Sequence, residues 1–278
     1  MPDPVSEQAD RDAGSVARTA LDEPADQRFV GARDLTLWPS AAGRLALDLA
    51  RRLRRRLAAH EVLAVTLAIG FVLTAALTAL AGAVYDSVTE ADGIAVLDQP
   101  ALRAAVGART SWGNQVGTAY TNVGGTIGMP LLAAVVAIGL ALAWRRWTPV
   151  VLIAFTASGS LALTVTGKVV VGRTRPPLAD AVPPFEHSAS FPSGHALNSI
   201  AIAGIVAYLL VREQRSRRAR ALTVSLAAAF AFTMGLSRVY LGHHWLSDVV
   251  VAWALGLAWL TVVIVTHRLF LTVRQPPA

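Results

Sequence analysis

The sequence predicts an all-α protein, a bundle of six transmembrane helices behind a disordered N-terminal tail. Three observations predict it. Charged residues make up only 15% of the 278 and hydrophobic ones 54%, whereas an average globular domain carries about a quarter charged residues. Long uncharged stretches recur, several of them enough to cross a hydrocarbon core of about 30 Å. Arginines gather at the ends of those stretches, the mark of membrane orientation. This composition excludes a disordered chain and argues against a soluble enzyme. Cysteine is absent, which excludes disulfides, zinc–thiolate sites and thiol catalysis. The net charge of +7 raises a nucleic-acid reading, but the arginines sit at span ends, so a bilayer and not a nucleic acid is the expected partner.

Taken in order, residues 1–40 are polar and acid-rich, with no apolar segment of the signal-peptide kind. They read as a disordered cytoplasmic tail. In residues 41–59, Leu45, Leu49, Leu53 and Leu57 repeat every four positions among Arg44, Arg51, Arg52, Arg54, Arg55 and Arg56. That is a basic amphipathic helix for an anionic inner leaflet, or a charge block that stops translocation; either places it in the cytoplasm.

Residues 60–271 read as one six-span domain. The first span is 62–85. Residues 87–110 form an outer loop with a short amphipathic helix near 98–107. The uncharged run 110–144 is too long for one simple span, and its first half is rich in Gly, Ser, Thr and Asn. The crossing is therefore expected near 122–144, with the earlier part packing at the outer boundary. Further spans are expected at 148–171, 195–211, 220–238 and 248–266. Fourteen basic residues flank the presumed inner ends and six the outer ends, which puts both termini inside. No internal repeat is visible, so an inverted-repeat transporter is not supported.

Ionisable groups at membrane depth are costly and usually functional. Three segments carry them to the outer side: Lys168 to Arg175-Pro176, Pro192-Ser193-Gly194-His195, and Ser237-Arg238 through His244 to Asp248. Lys168 is the only lysine among 25 basic residues. Lys168 and Arg175, seven apart, would leave one face of a helix that Pro176 and Pro177 end; Arg173 would point elsewhere, as a boundary or salt-bridging arginine. Pro192–His195 would open a span, where free backbone N–H groups favour an anion. Gly194 admits close approach, Ser193 adds a hydroxyl, and His195 stands beside this phosphate cradle.

His244 and Asp248, four apart, would stack on a helix. A carboxylate on one imidazole nitrogen would leave the other as a nucleophile; His243 would face away. Each motif alone could be a cap, an anchor or a polar bridge; together, in order and on one side, they read as a site. His60, His187 and His267 lack such company and read as boundary or loop residues. The cluster is strongly cationic, which disfavours a metal, and no cofactor is expected.

These segments resemble the three-part signature of the type 2 phosphatidic acid phosphatase (PAP2) superfamily: a Lys, six residues and Arg-Pro; then Pro-Ser-Gly-His; then Ser-Arg, five residues, His, three residues and Asp. The resemblance spans about 168–248 by motif and about 60–270 by layout. It implies a haloperoxidase-like helical core in the membrane lipid phosphatase branch. It also implies roles: Lys168, Arg175 and Arg238 binding phosphate oxygens, Ser193 and Gly194 completing the cradle, His244 attacking phosphorus, Asp248 orienting it, and His195 protonating the leaving oxygen. The expected activity is metal-independent hydrolysis of a lipid phosphate or diphosphate through a phosphohistidine. Polyprenyl diphosphate (undecaprenyl diphosphate among them), phosphatidylglycerol phosphate and phosphatidate are the candidate substrates. The 87–125 region and the loop 177–191 would choose between them. The alternatives are a lipid phosphotransferase with the same site, or a non-catalytic phospholipid-binding or transport protein. Oligomeric state is not legible.

Overall fold

In the computed structural model the described residues are 93–273 and, ahead of them, 29–30, 33–35, 37–38, 40–41, 43–45 and 48. The expected first span, 62–85, and the tail up to residue 28 lie outside them. Seven α-helices carry the described chain: α1 (Asp98–Gly107), α2 (Ser111–Val123), α3 (Gly128–Trp144), α4 (Thr148–Val171), α5 (Gly194–Glu213), α6 (Arg217–Tyr240) and α7 (Leu246–Val273). Two short strands, β1 (Phe29–Val30) and β2 (Arg33–Asp34), pair antiparallel.

Four helices, α4 to α7, are long and apolar enough to cross a membrane, and α2 with α3 forms a further pair bent by 52°. Four of the six expected crossings therefore have a described counterpart, or five if the bent pair is one span. The bend divides the run 110–144 where its composition changes. Thr110 caps α2 by accepting from the Gly113 N–H at 3.0 Å, and the Gly124–Gly125 pair ends it. At Gly124 a Cβ would stand 2.5 Å from the Met234 sulfur, so only glycine lets α2 finish against α6. Beyond the break α3 is apolar all round, as a helix between lipid and protein must be.

α5 lies at the centre, packed on α4, α6 and α7. Lipid tails are as apolar as leucine, so close packing and not water exclusion holds such helices together. Small residues make it possible: Ala196 and Ala201 are fully buried beside Leu197 and Ile205. On α4 the buried face is Thr156, Ser160 and Thr164, each hydroxyl returned to its own helix's carbonyls at 2.7–3.0 Å. No polar group on that face is left without a partner. Trp259 of α7 lies over Gly159 and donates its ring N–H to the Thr156 carbonyl at 3.0 Å.

One expectation needs correction, and another is seen only in part. The segment before residue 40 is not wholly structureless: β1 and β2 pair there, and Arg268 of α7 donates to the Leu35 and Leu37 carbonyls and lies over the Trp38 ring. A polar composition hid a segment that a distant arginine ties down. Of the amphipathic helix at 41–59, the described residues show its start, where Ser40 accepts from the Gly43 N–H at 3.1 Å; the rest lies outside.

Candidate active site

Polar residues collect where α4 and α6 end and α5 and α7 begin. Gly172, in the left-handed region at φ 61, ends α4 by donating to the Lys168 carbonyl at 3.1 Å. This is a glycine C-cap, and it stops the helix before Pro176 can. Lys168 and Arg175 therefore do not share a two-turn helical face, contrary to the spacing argument. The loop between α4 and α5 brings them together instead. Lys168 Nζ donates to the Ser188 hydroxyl at 3.2 Å and to the Ala189 carbonyl. Arg175 donates to the Ser188 carbonyl at 2.6 Å, the Ser188 hydroxyl at 3.1 Å and the His243 carbonyl at 2.5 Å.

The loop is itself pinned. The Val182 N–H donates to the Leu241 carbonyl and the Ser190 N–H to the Arg173 carbonyl, both at 2.8 Å. His243 Nε2 meets the Val182 carbonyl at 2.6 Å, so this ring faces the loop.

Arg238, in the last turn of α6, is 1% exposed. It donates to the Thr121 hydroxyl of α2 at 2.9 Å and to Glu186, while its Nε has no partner. Arg175 donates to the other Glu186 oxygen at 2.8 Å. One carboxylate thus bridges the two guanidiniums, in the way a phosphate's oxygens can. Burial alone would push the Glu186 carboxyl up, but Arg238 and Arg175 outweigh it and hold it at about 2. Sequence reading missed Glu186. The available signal was an acid in a loop flanked by cationic motifs.

His244 is fully buried and precedes α7, so it and Asp248 do not stack on one helix as the spacing suggested. Asp248 lies in the first turn, where its Oδ2 accepts from the Trp245 N–H at 3.1 Å and from the Ser190 hydroxyl at 2.5 Å. His244 Nδ1 is 3.6 Å from that oxygen and 3.5 Å from the Ser190 Oγ, so the three groups form a triangle in which Ser190, and not the imidazole, makes the short contact to the carboxylate. His244 Nε2 faces Arg175 NH1 at 3.3 Å. A guanidinium can only donate, so the tautomer that fits these partners carries its proton on Nδ1 and leaves an Nε2 lone pair. Burial, then Arg238 and Arg175, hold His244 well below the ordinary imidazole range; the ring is neutral near pH 7.

Ser193 precedes the first residue of α5, with its hydroxyl buried and unpartnered. Gly194 packs on Thr164, where a Cβ would stand 3.0 Å from its methyl, so its lack of a side chain serves helix contact. His195 lies one residue further on, its Nε2 facing Gly125 at the α2–α3 break. Arg173, expected as a boundary or salt-bridging residue, makes two ion pairs: with Asp98 at 2.7 Å and Asp248 at 2.6 Å. Asp98, Thr121 and Ser190 carried no sequence signal, since each acts through a contact distant along the chain.

This arrangement offers a buried nucleophilic nitrogen, two guanidiniums sharing an anion, and an imidazole beside them. The PAP2 superfamily model matches residues 147–270. The chain is 31% identical over 161 residues to phosphatidylglycerophosphatase B of Bacillus subtilis (strain 168), across 58% of this chain and 78% of that protein. It also resembles the crystal structure of a transmembrane PAP2-type phosphatidylglycerolphosphate phosphatase from Bacillus subtilis. That likeness has a TM-score of 0.57 at 27% identity, over 72% of this chain and 92% of the other.

Proposed function

The chain belongs to the PAP2 superfamily, and we propose that it is an integral-membrane lipid phosphatase that works through a phosphohistidine at His244. One observation carries this reading: a neutral imidazole aims an unprotonated nitrogen at a guanidinium pair already bridged by an anion. The Glu186 oxygens stand in for two phosphoryl oxygens. Substrate phosphate takes that seat, with the partnerless Arg238 Nε and Ser193 hydroxyl as further donors.

The chemistry follows in two steps. His244 Nε2 gives its lone pair to phosphorus as the bond from phosphorus to the lipid oxygen breaks. The leaving oxygen keeps that electron pair and takes a proton from His195. Water then attacks the phosphohistidine, His195 receives the water's proton, and the phosphorus–nitrogen bond breaks to return neutral His244 and inorganic phosphate. Phosphoryl transfer needs mainly positioning and charge stabilisation, and Lys168, Arg175 and Arg238 supply fixed positive charge without reorganising. Turnover is accordingly expected in the presence of a chelator.

The relatives point to phosphatidylglycerol phosphate as first candidate, ahead of polyprenyl diphosphate and phosphatidate. We place the site on the extracytoplasmic side with both termini inside, from the arginine bias. The test is phosphate release by the purified full chain in detergent with EDTA, on these three lipids, beside His244→Ala. Release that the substitution abolishes supports the reading and ranks the substrates. Release that persists removes His244 from the role. No release from any lipid by folded protein moves the assignment to phosphoryl transfer or to binding alone.

A further inference from the structure

Asp98 opens α1, far along the chain from the signature motifs, yet it is only 4% exposed and its carboxylate is fully used. One oxygen accepts from the Ser247 N–H at 2.8 Å; the other accepts from the Ser247 hydroxyl and from Arg173 NH2, each at 2.7 Å. The second guanidinium nitrogen of Arg173 donates to Ser247 Oγ at 2.7 Å and to Asp248 Oδ1 at 2.6 Å. We infer that Asp98 is a positioning residue for the nucleophile, acting through Arg173 on Asp248. This rests on the reading of His244 as nucleophile and Asp248 as its partner.

Two physical consequences make the contact more than a brace. The first is orientation. Arg173 takes one Asp248 oxygen, Ser190 and the Trp245 N–H take the other, and the carboxylate cannot turn. Asp98 anchors the far nitrogen of that arginine, whose guanidinium also lies over the Trp245 ring at 5.6 Å. The second is charge. His244 becomes positive as its nitrogen bonds to phosphorus, and Asp248 is the nearest carboxylate to the face that carries Nδ1. An Arg173–Asp248 pair alone is neutral and offers that developing charge little. With Asp98 the triad carries one net negative charge, and Asp248 keeps its electrostatic effect in a buried setting where such effects are large.

Asp98→Asn keeps the shape and one acceptor oxygen, for the Ser247 N–H, while removing the charge and the acceptor that faces Arg173. It is measured in the full chain by lipid-phosphate hydrolysis, alone and combined with Asp248→Asn. We expect kcat to fall about tenfold with KM within about twofold, since the loss is confined to the transition state. Inhibition by inorganic phosphate should be unchanged. In the Asp248→Asn background the same substitution should cost less than about twofold, because a residue that acts through Asp248 has nothing left to act on. A merely structural role predicts the same loss in both backgrounds, and that result overturns the inference, as does a kcat within about twofold of wild type. If Asp98→Asn does not fold, Arg173→Lys, which keeps the charge but cannot fork between two carboxylates, runs the same cycle under the same criteria. A wild-type chain with no turnover overturns the phosphatase reading and this inference with it. An active wild type with an additive cycle overturns this inference alone.

Discussion

Substituting Glu186 by glutamine should make the protein bind phosphate more tightly. The carboxylate occupies the seat between Arg175 and Arg238, so any phosphate must displace it. Its ordinary value of 4.5 is drawn down to about 2; at about 1.4 kcal/mol for each tenfold in proton affinity, this is roughly 3 kcal/mol of attraction to the cations. The side chain is 32% exposed, and solvent screening reduces what an incoming anion must overcome to roughly 1–1.5 kcal/mol.

A folded-state value held below the unfolded one means that this attraction is present above about 4.5 and is lost only as pH falls toward 2. Every practical assay pH therefore meets a charged Glu186, and substitution is the way to remove it. The inhibition constant of inorganic phosphate in lipid-phosphate hydrolysis, at fixed ionic strength, should drop about five- to tenfold in Glu186→Gln. Arg238, almost wholly buried, is meanwhile left beside a neutral group, so the variant should melt earlier and regain its melting temperature as phosphate is added. An inhibition constant that stays the same or rises refutes the reasoning, because the carboxylate then does not compete for the seat.

Thr121→Val, nearly isosteric, leaves a buried Arg238 nitrogen without its 2.9 Å partner; a loss of roughly 1–3 kcal/mol in stability and a raised KM are expected, read by thermal melts and Michaelis kinetics. Because burial keeps His244 neutral well below its usual range, kcat/KM should not fall with ionisation of this group as pH drops through 6.5. The sign for stability is opposite: the unfolded chain binds a proton there that the folded one refuses, so melting temperature should decline below about pH 6.5. A cysteine introduced as Pro184→Cys in the loop over the site should react with an impermeant thiol reagent on intact cells, since the wild-type chain has none. Labelling only after lysis would reverse the proposed orientation.

Helix positions were largely legible, because a bilayer imposes length and apolarity that are written directly in the chain. The four stretches expected from residue 148 onward coincide with α4–α7 to within a few residues, α7 apart, which runs on to Val273. Where spacing arguments failed, a local backbone feature intervened. Gly172 ended α4 ahead of the prolines, and α7 begins after His244. The site's inner supports were not legible for a different reason. Glu186, Ser190, Asp98 and Thr121 matter through tertiary partners, and composition does not encode which loop carboxylate will lie across which arginine. Arg173 was the exception, since a cation left off the expected phosphate face had to find acids somewhere.

The direction in which each helix meets the site decides which side-chain charge that helix end can stabilise. α4 and α6 arrive with their carbonyl ends, partially negative, and each carries a cation in its last turn, Lys168 and Arg238. α7 departs with its amide end, partially positive, and carries Asp248 in its first turn. α5 departs in the same sense, but its first turn has no acid. Side-chain charge thus opposes and is stabilised by the backbone field at three helix ends, while the fourth, at Ser193, has no acid to oppose its amide end. A version of this scaffold for a cationic headgroup would need, besides exchange of the three cations, an acid in the first turn of α5 to oppose that amide end.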